Sequence, residues 1–147
     1  MTGSETQTVL SIHSDGQIFG LSVERVVHVL KKLDIAPVPG TPPMIAGLIN
    51  LRGHMIVALD LRAVLDQPER VNVKVMGVII ETPSEPVCLV VDAVGEVLEL
   101  SHKDQFEAPQ HIPERYLSLA ENFYRQDDDI LIKLDEVALV TPTRLAA

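Results

Sequence analysis

Apolar residues along this chain come in short runs rich in Val, Ile and Leu, broken every few positions by turn residues, which is the pattern of strands rather than of a helix bundle. Residues 9–13 and 17–22 flank Ser14-Asp15-Gly16, where Asp and Gly tolerate the positive φ of a tight hairpin. Residues 47–51 and 55–59 flank Arg52-Gly53-His54 in the same way. Residues 73–81 and 87–92 lie on either side of Thr82-Pro83-Ser84-Glu85-Pro86, whose prolines cannot donate to a ladder and mark a loop. Strands are further predicted at 96–100, 122–126 and 130–134, the last two joined through Asp127-Asp128-Asp129. Many short strands at such spacing predict an all-β barrel or sandwich.

Two segments depart from simple alternation. Val23, Val26, Val27 and Leu30 follow helical spacing, yet Val26-Val27-His28-Val29 is β-branched, so a helical turn running into a strand is expected. Residues 36–43 contain four prolines and form a loop, since each residue before a proline is driven to extended geometry. A faint repeat links Ala58-Leu59-Asp60-Leu61-Arg62-Ala63-Val64 with Lys133-Leu134-Asp135-Glu136-Val137-Ala138-Leu139: each runs from a strand through Leu-Asp into a short amphipathic turn that the Asp can cap. The polar stretch 66–72 between them reads as a link dividing the chain into one unit at about 8–66 and a second at about 72–140.

Composition narrows what such a fold can do. With 46% apolar and 22% charged residues, a 147-residue chain has enough material for a buried core. A net charge of −9 disfavours phosphate backbones and anionic membrane surfaces, and 3% aromatic residues with no Trp leave no base-stacking platform. The N-terminus carries no basic and apolar leader, and no apolar run is long enough to span a bilayer, so a cytoplasmic protein without membrane insertion is expected. Eight scattered glycines build no phosphate cradle, and Cys88, inside an apolar run, reads as a buried hydrophobe rather than a nucleophile. His13, His28, His54, His102 and His111 show no ligand spacing, so neither a metal nor any other cofactor is predicted. Asp127-Asp128-Asp129 reads as a solvated hairpin tip, and Ser101-His102-Lys103-Asp104 as a helix-start cap.

The most unusual stretch is 42–65, which sets Asn50 and Arg52 at a tight turn between two very apolar strands. With Pro39, Pro42, Gly47, Asn50-Leu51-Arg52-Gly53 and Asp60-Leu61-Arg62, it resembles the signature of the CheW family of chemotaxis coupling proteins. The resemblance continues through Phe19-Gly20, residues 23–29, Leu89-Val90-Val91-Asp92-Ala93-Val94-Gly95-Glu96-Val97 and Leu131-Ile132-Lys133-Leu134-Asp135, and is weakest over 102–129.

That resemblance implies two five-stranded SH3-like β-barrel subdomains packed together with short helical turns, no enzymatic activity, and a stand-alone adaptor. The implied partners are the cytoplasmic tip of a chemoreceptor and the regulatory domain of a CheA-type histidine kinase. The implied partner-binding residues are Val26, His28, Gly47, Asn50, Leu51 and Arg52, with a bulky residue at Gly47 expected to block close backbone approach. Many relatives carry Glu where this chain has His28, and Pro where it has Val57. The reading from another class is a β-barrel that binds a small ligand or a nucleotide.

Overall fold

The computed structural model describes residues 6–71 and 74–146; Asn72 and Val73, read above as the end of the link and the start of a strand, lie outside the described residues, as do the first five. The chain runs β1 (Thr6–Ser14), β2 (Gln17–Ser22), a 3-10 turn (Val23–Arg25), β3 (Val26–Leu30), β4 (Ile45–Leu51), β5 (His54–Asp60), α1 (Leu61–Val64), β6 (Met76–Ile80), β7 (Val87–Val91) and β8 (Ala93–Ser101). It continues with a second 3-10 turn (His102–Asp104), β9 (Gln105–Phe106), α2 (Glu114–Leu119), β10 (Ala120–Gln126), β11 (Asp129–Leu134) and α3 (Glu136–Ala146). The expected hairpins form: Asp15 and Gly16 (φ 51° and 78°), and Arg52 and Gly53 (φ 52° and 87°), supply the two positive φ values of a two-residue turn. The segment from Val23 does run from a helical turn into a strand, and both Leu-Asp repeats cap as expected. Asp60 Oδ1 accepts from the Arg62 amide at 3.1 Å, and Asp135 Oδ1 accepts from the Val137 and Ala138 amides at 3.1 and 3.2 Å.

The strands form a sheet of six, in the order β8-β1-β2-β11-β10-β9, and a sheet of five, in the order β3-β6-β7-β5-β4. The two-residue β9, too short to leave a sequence pattern, is the sixth strand of the first. Each sheet draws on both sides of the 66–72 link: β1 and β2 join the C-terminal strands, and β6 and β7 join β3, β4 and β5. Two parallel pairs, with Ile132 opposite Phe19 and Leu59 opposite Leu89, and the antiparallel pairs β1–β8 and β3–β6 make this exchange. The chain therefore interlaces rather than folding as two consecutive halves.

Burial explains the arrangement. In β7 all five residues, Val87 to Val91, are buried, because Val87, Leu89 and Val91 face the other sheet while Cys88 and Val90 face away from it. The largest apolar cluster lies between the sheets, where Ile12, Phe19, Leu21 and Ile132 meet Leu59, Val78, Ile80 and Leu89. A second cluster around Ile49, Ile56, Ile79 and Cys88 lines the far side of the five-stranded sheet, and a third around Val9, Leu100, Tyr124 and Leu131 lines the far side of the six-stranded one. Each fully buried Leu or Ile in these layers contributes about 1.5–3 kcal/mol. Burial also pushes the Cys88 thiol up to about 12, with a backbone bond at Val78 opposing it, so the thiol is inert as expected.

The two sheets meet at Asp92, the single residue between β7 and β8. Its carboxylate accepts from Arg62 (Nη2, 2.6 Å), Arg70 (Nε, 2.7 Å) and the Asp15 amide (2.8 Å), while Arg70 Nη1 also reaches Asp60 at 2.5 Å. Burial alone would raise the Asp92 carboxyl, but the hydrogen bonds from Arg62, the Asp15 amide and Arg70 outweigh it and hold the group at about 2 rather than 3.8. A carboxyl depressed on folding gives stability that is present above its unfolded value and lost as pH falls through its folded value. At 1.36 kcal/mol per unit, Asp92 is expected to contribute about 2 kcal/mol at neutral pH, disappearing between roughly pH 4 and 2. Urea unfolding of Asp92→Asn should show that loss at pH 7 and a flatter acid limb; an unchanged limb would assign the acid sensitivity to other carboxylates.

Candidate partner-binding groove

At one end of the five-stranded sheet, β3, the β4–β5 hairpin and the start of β7 leave an open groove of about 450 Å³. Its floor is Ile56 and Ile79, which belong to the apolar layer behind that sheet. Its walls are Val27, Leu51, Met55 and Pro86, and its polar rim is Arg52, His28, His54 and Glu85. Val27 is 43% and Met55 57% exposed, so the groove presents apolar surface to solvent.

Local sequence explains how these side chains gather. The pairing of β3 with β6 slips between Val26 and His28, so the chain carries one extra residue there and both Val27 and His28 line the groove. At the hairpin tip Asn50 Oδ1 accepts from the Gly53 amide at 2.9 Å and holds the turn. Arg52 sits in the left-handed region at φ 52°, where an L-residue other than Gly, Asn or Asp is uncommon and costs about 1–2 kcal/mol. The strain projects a guanidinium at the groove rim. Among the described residues, Arg52, His28, His54 and Glu85 make no ion pair; the pairs present involve Arg25, Arg62, Arg70 and Lys133.

Of the six residues that the resemblance assigned to partner binding, the structure brings His28, Leu51 and Arg52 together in this groove. The other three stand elsewhere. Val26 packs against the apolar layer between the sheets, Asn50 holds the turn, and Gly47 is buried where β4 meets the proline loop. The groove adds Val27, His54, Met55, Glu85 and Pro86. His54 and Met55 follow directly on the Asn-Leu-Arg-Gly turn, so their place beside that turn in the chain was the available signal; Glu85 and Pro86 arrive through tertiary pairing and left none.

Two interlaced β-sheets with three apolar layers define a β module that opens an apolar-walled groove to solvent. The CheW-like domain family model matches residues 8–142, and the chain belongs to that family. It is 27% identical over 131 residues to the chemotaxis protein CheW of Thermotoga maritima, covering 86% of this chain and 83% of that one. It is 28% identical over 127 residues to the chemotaxis protein CheW of Bacillus subtilis, covering 86% and 81%. Among solved structures it resembles the scaffolding protein TtCheW from Thermoanaerobacter tengcongensis, with a TM-score of 0.81 and 27% identity over 92% of both chains. Among the described residues no helix is long and apolar enough to cross a membrane, and no group of three or more His, Cys, Asp or Glu side chains could hold a metal ion.

Proposed function

We propose that this chain is a non-catalytic chemotaxis adaptor in the cytoplasm that couples the tip of a chemoreceptor to the regulatory domain of a CheA-type histidine kinase. Family membership across 8–142 carries this reading, supported by relatives named as chemotaxis protein CheW and by a structural neighbour named as a scaffolding protein. Coupling requires two surfaces. The groove around Arg52 is the receptor surface in this reading, since it combines exposed apolar walls with unpaired charge. The kinase surface is an exposed sheet edge, of which β8 is the longest, with Val97 59% exposed on it. Contacts of this transient kind bury roughly 1,200 Å² or less and bind in the micromolar range.

The test is calorimetric titration of the purified protein with a co-encoded kinase regulatory domain and with a receptor cytoplasmic fragment. Both should bind with micromolar Kd. Val97→Lys should weaken the kinase about tenfold and spare the receptor, and Arg52→Ala should do the reverse, because each removes or opposes one contact of about 1.4 kcal/mol. No binding of either partner at the highest soluble concentrations would sink the adaptor reading.

A further inference from the structure

Sulfur in this chain is confined to Cys88 and four methionines. Cys88 is fully buried, and Met44 and Met76 are half-buried against the apolar layer between the sheets. Met1 lies outside the described residues. Met55 is placed differently. It is 57% exposed on β5, it belongs to none of the three apolar layers, and it stands in the groove wall with Val27, Leu51 and Pro86. The next residue, Ile56, turns inward as the groove floor. An unbranched thioether adapts to whatever surface it meets, which suits docking, and when exposed it is also open to oxidants.

We propose that Met55 is an oxidation switch for docking in this groove: its sulfoxide weakens the hold on the occupant, and reduction restores it. The inference rests on the groove being the receptor surface and adds a control on that surface. The oxidant is a peroxide. The thioether sulfur attacks one oxygen of hydrogen peroxide, the S–O bond forms as the O–O bond breaks, sulfur gives up two electrons, and the other oxygen leaves as water. A methionine sulfoxide reductase removes the oxygen as water with two electrons from thiols, which become a disulfide. The sulfoxide is polar but carries no net charge. An occupant that covers the apolar wall must strip water from it, a cost that the thioether does not carry. The wall has four apolar side chains, so making one of them polar changes a large share of the contact.

Peroxide treatment of the folded protein, followed by peptide mass spectrometry, should add one oxygen to Met55 well before Met44 or Met76. In calorimetric titration the oxidised protein should bind a receptor cytoplasmic fragment about tenfold more weakly. The loss should be the same in low and high salt, because no charge has changed. The kinase regulatory domain should keep its Kd, the melting temperature should not move, and treatment with sulfoxide reductases should restore receptor binding. Met55→Leu, which keeps the other three methionines and nearly the same volume, should bind the receptor normally before and after peroxide. Met55→Gln should show the tenfold loss without any oxidant. Oxidation of Met44 or Met76 as fast as Met55, a loss that persists in Met55→Leu, or an equal loss of kinase binding would overturn the proposal. If the receptor fragment binds equally before and after oxidation, the switch alone falls; if it does not bind the untreated protein, the receptor reading falls and the switch falls with it.

Discussion

Replacing Lys133 with Ala should lower the unfolding free energy by about 3–5 kcal/mol, as removal of one partner from a buried ion pair generally does. Lys133 on β11 is fully buried, and its ammonium donates to Glu121 at 2.8 Å, to the Leu134 carbonyl at 2.6 Å and to Glu136 at 3.2 Å. Glu136, 4% exposed in the first turn of α3, also accepts from the Ser22 amide at 2.6 Å and lies 3.8 Å from Arg25. One ammonium and one carboxylate thus tie β2, the turn after it, β11 and α3 together. Without the ammonium, the Glu136 carboxylate stays buried with a backbone amide and a distant guanidinium. At the usual urea slope of about 2 kcal/mol/M, the midpoint of Lys133→Ala should fall by about 2 M. The double variant Lys133→Met, Glu136→Gln fills the volume and removes both charges, so it should recover more than half of the loss. A double variant no better than Lys133→Ala would mean that side-chain packing, rather than the stranded carboxylate, sets the cost.

That ion pair marks where the sequence ceases to be readable. The hairpins at Asp15-Gly16 and Arg52-Gly53, the proline loop and the Leu-Asp caps were legible because each is decided within a few residues by φ preference, a missing N–H or a nearby carboxylate. Lys133 looks like an ordinary charged residue in an alternating strand, and its burial between Glu121 of β10 and Glu136 of α3 is decided by tertiary packing. The helix α2 was missed for a related reason. Its six residues, Glu114–Leu119, are too few to show a period, and it is fixed from outside itself, by Arg115 Nε on the Val64 carbonyl at 2.7 Å and by Tyr116 edge-on to Phe19.

The order of strands was hidden more thoroughly. A sequence shows which runs are strands but not which of two apolar faces meets which, and a central strand such as β7 is apolar on both. The 66–72 link looks like a boundary because it is polar and irregular. In the structure its Gln67 and Arg70 are instead bound to Ser14, Tyr116, Asp60 and Asp92, and the strands before and after the link, β5 and β6, lie in the same sheet. For the groove, family resemblance supplied His28, Leu51 and Arg52 as candidate partner contacts, whereas the bulge that turns Val27 beside His28 is a property of the pairing with β6.

Gly47→Val should destabilise the fold by about 3 kcal/mol or more, rather than leave it intact and block a docking surface. The β4–β5 pairing slips between Ile45 and Gly47, and at the slip Gly47 adopts φ 149°, where an L-residue is strained by about 1–3 kcal/mol. The proline loop lies directly against it: Ala36 exchanges two backbone hydrogen bonds with Leu48, at 2.8 and 2.9 Å. A Cβ at residue 47 would overlap the Ala36 carbonyl oxygen and come within 2.8 Å of Ile35 Cγ2. Relief requires lifting residues 35 and 36 off β4, which gives up those two bonds at about 1 kcal/mol each and exposes Ile35. Together these predict a melting temperature about 10 °C lower, at 2–4 °C per kcal/mol for a chain of this size. Gly53→Ala separates the two contributions: Gly53 has φ 87° but nothing within 4 Å of its added Cβ, so only the strain applies and about 1 kcal/mol should be lost. Because Gly47 lies outside the groove, Gly47→Val held well below its melting temperature should bind a receptor fragment with wild-type Kd. A variant that melts like the wild type yet no longer binds would return Gly47 to the docking surface.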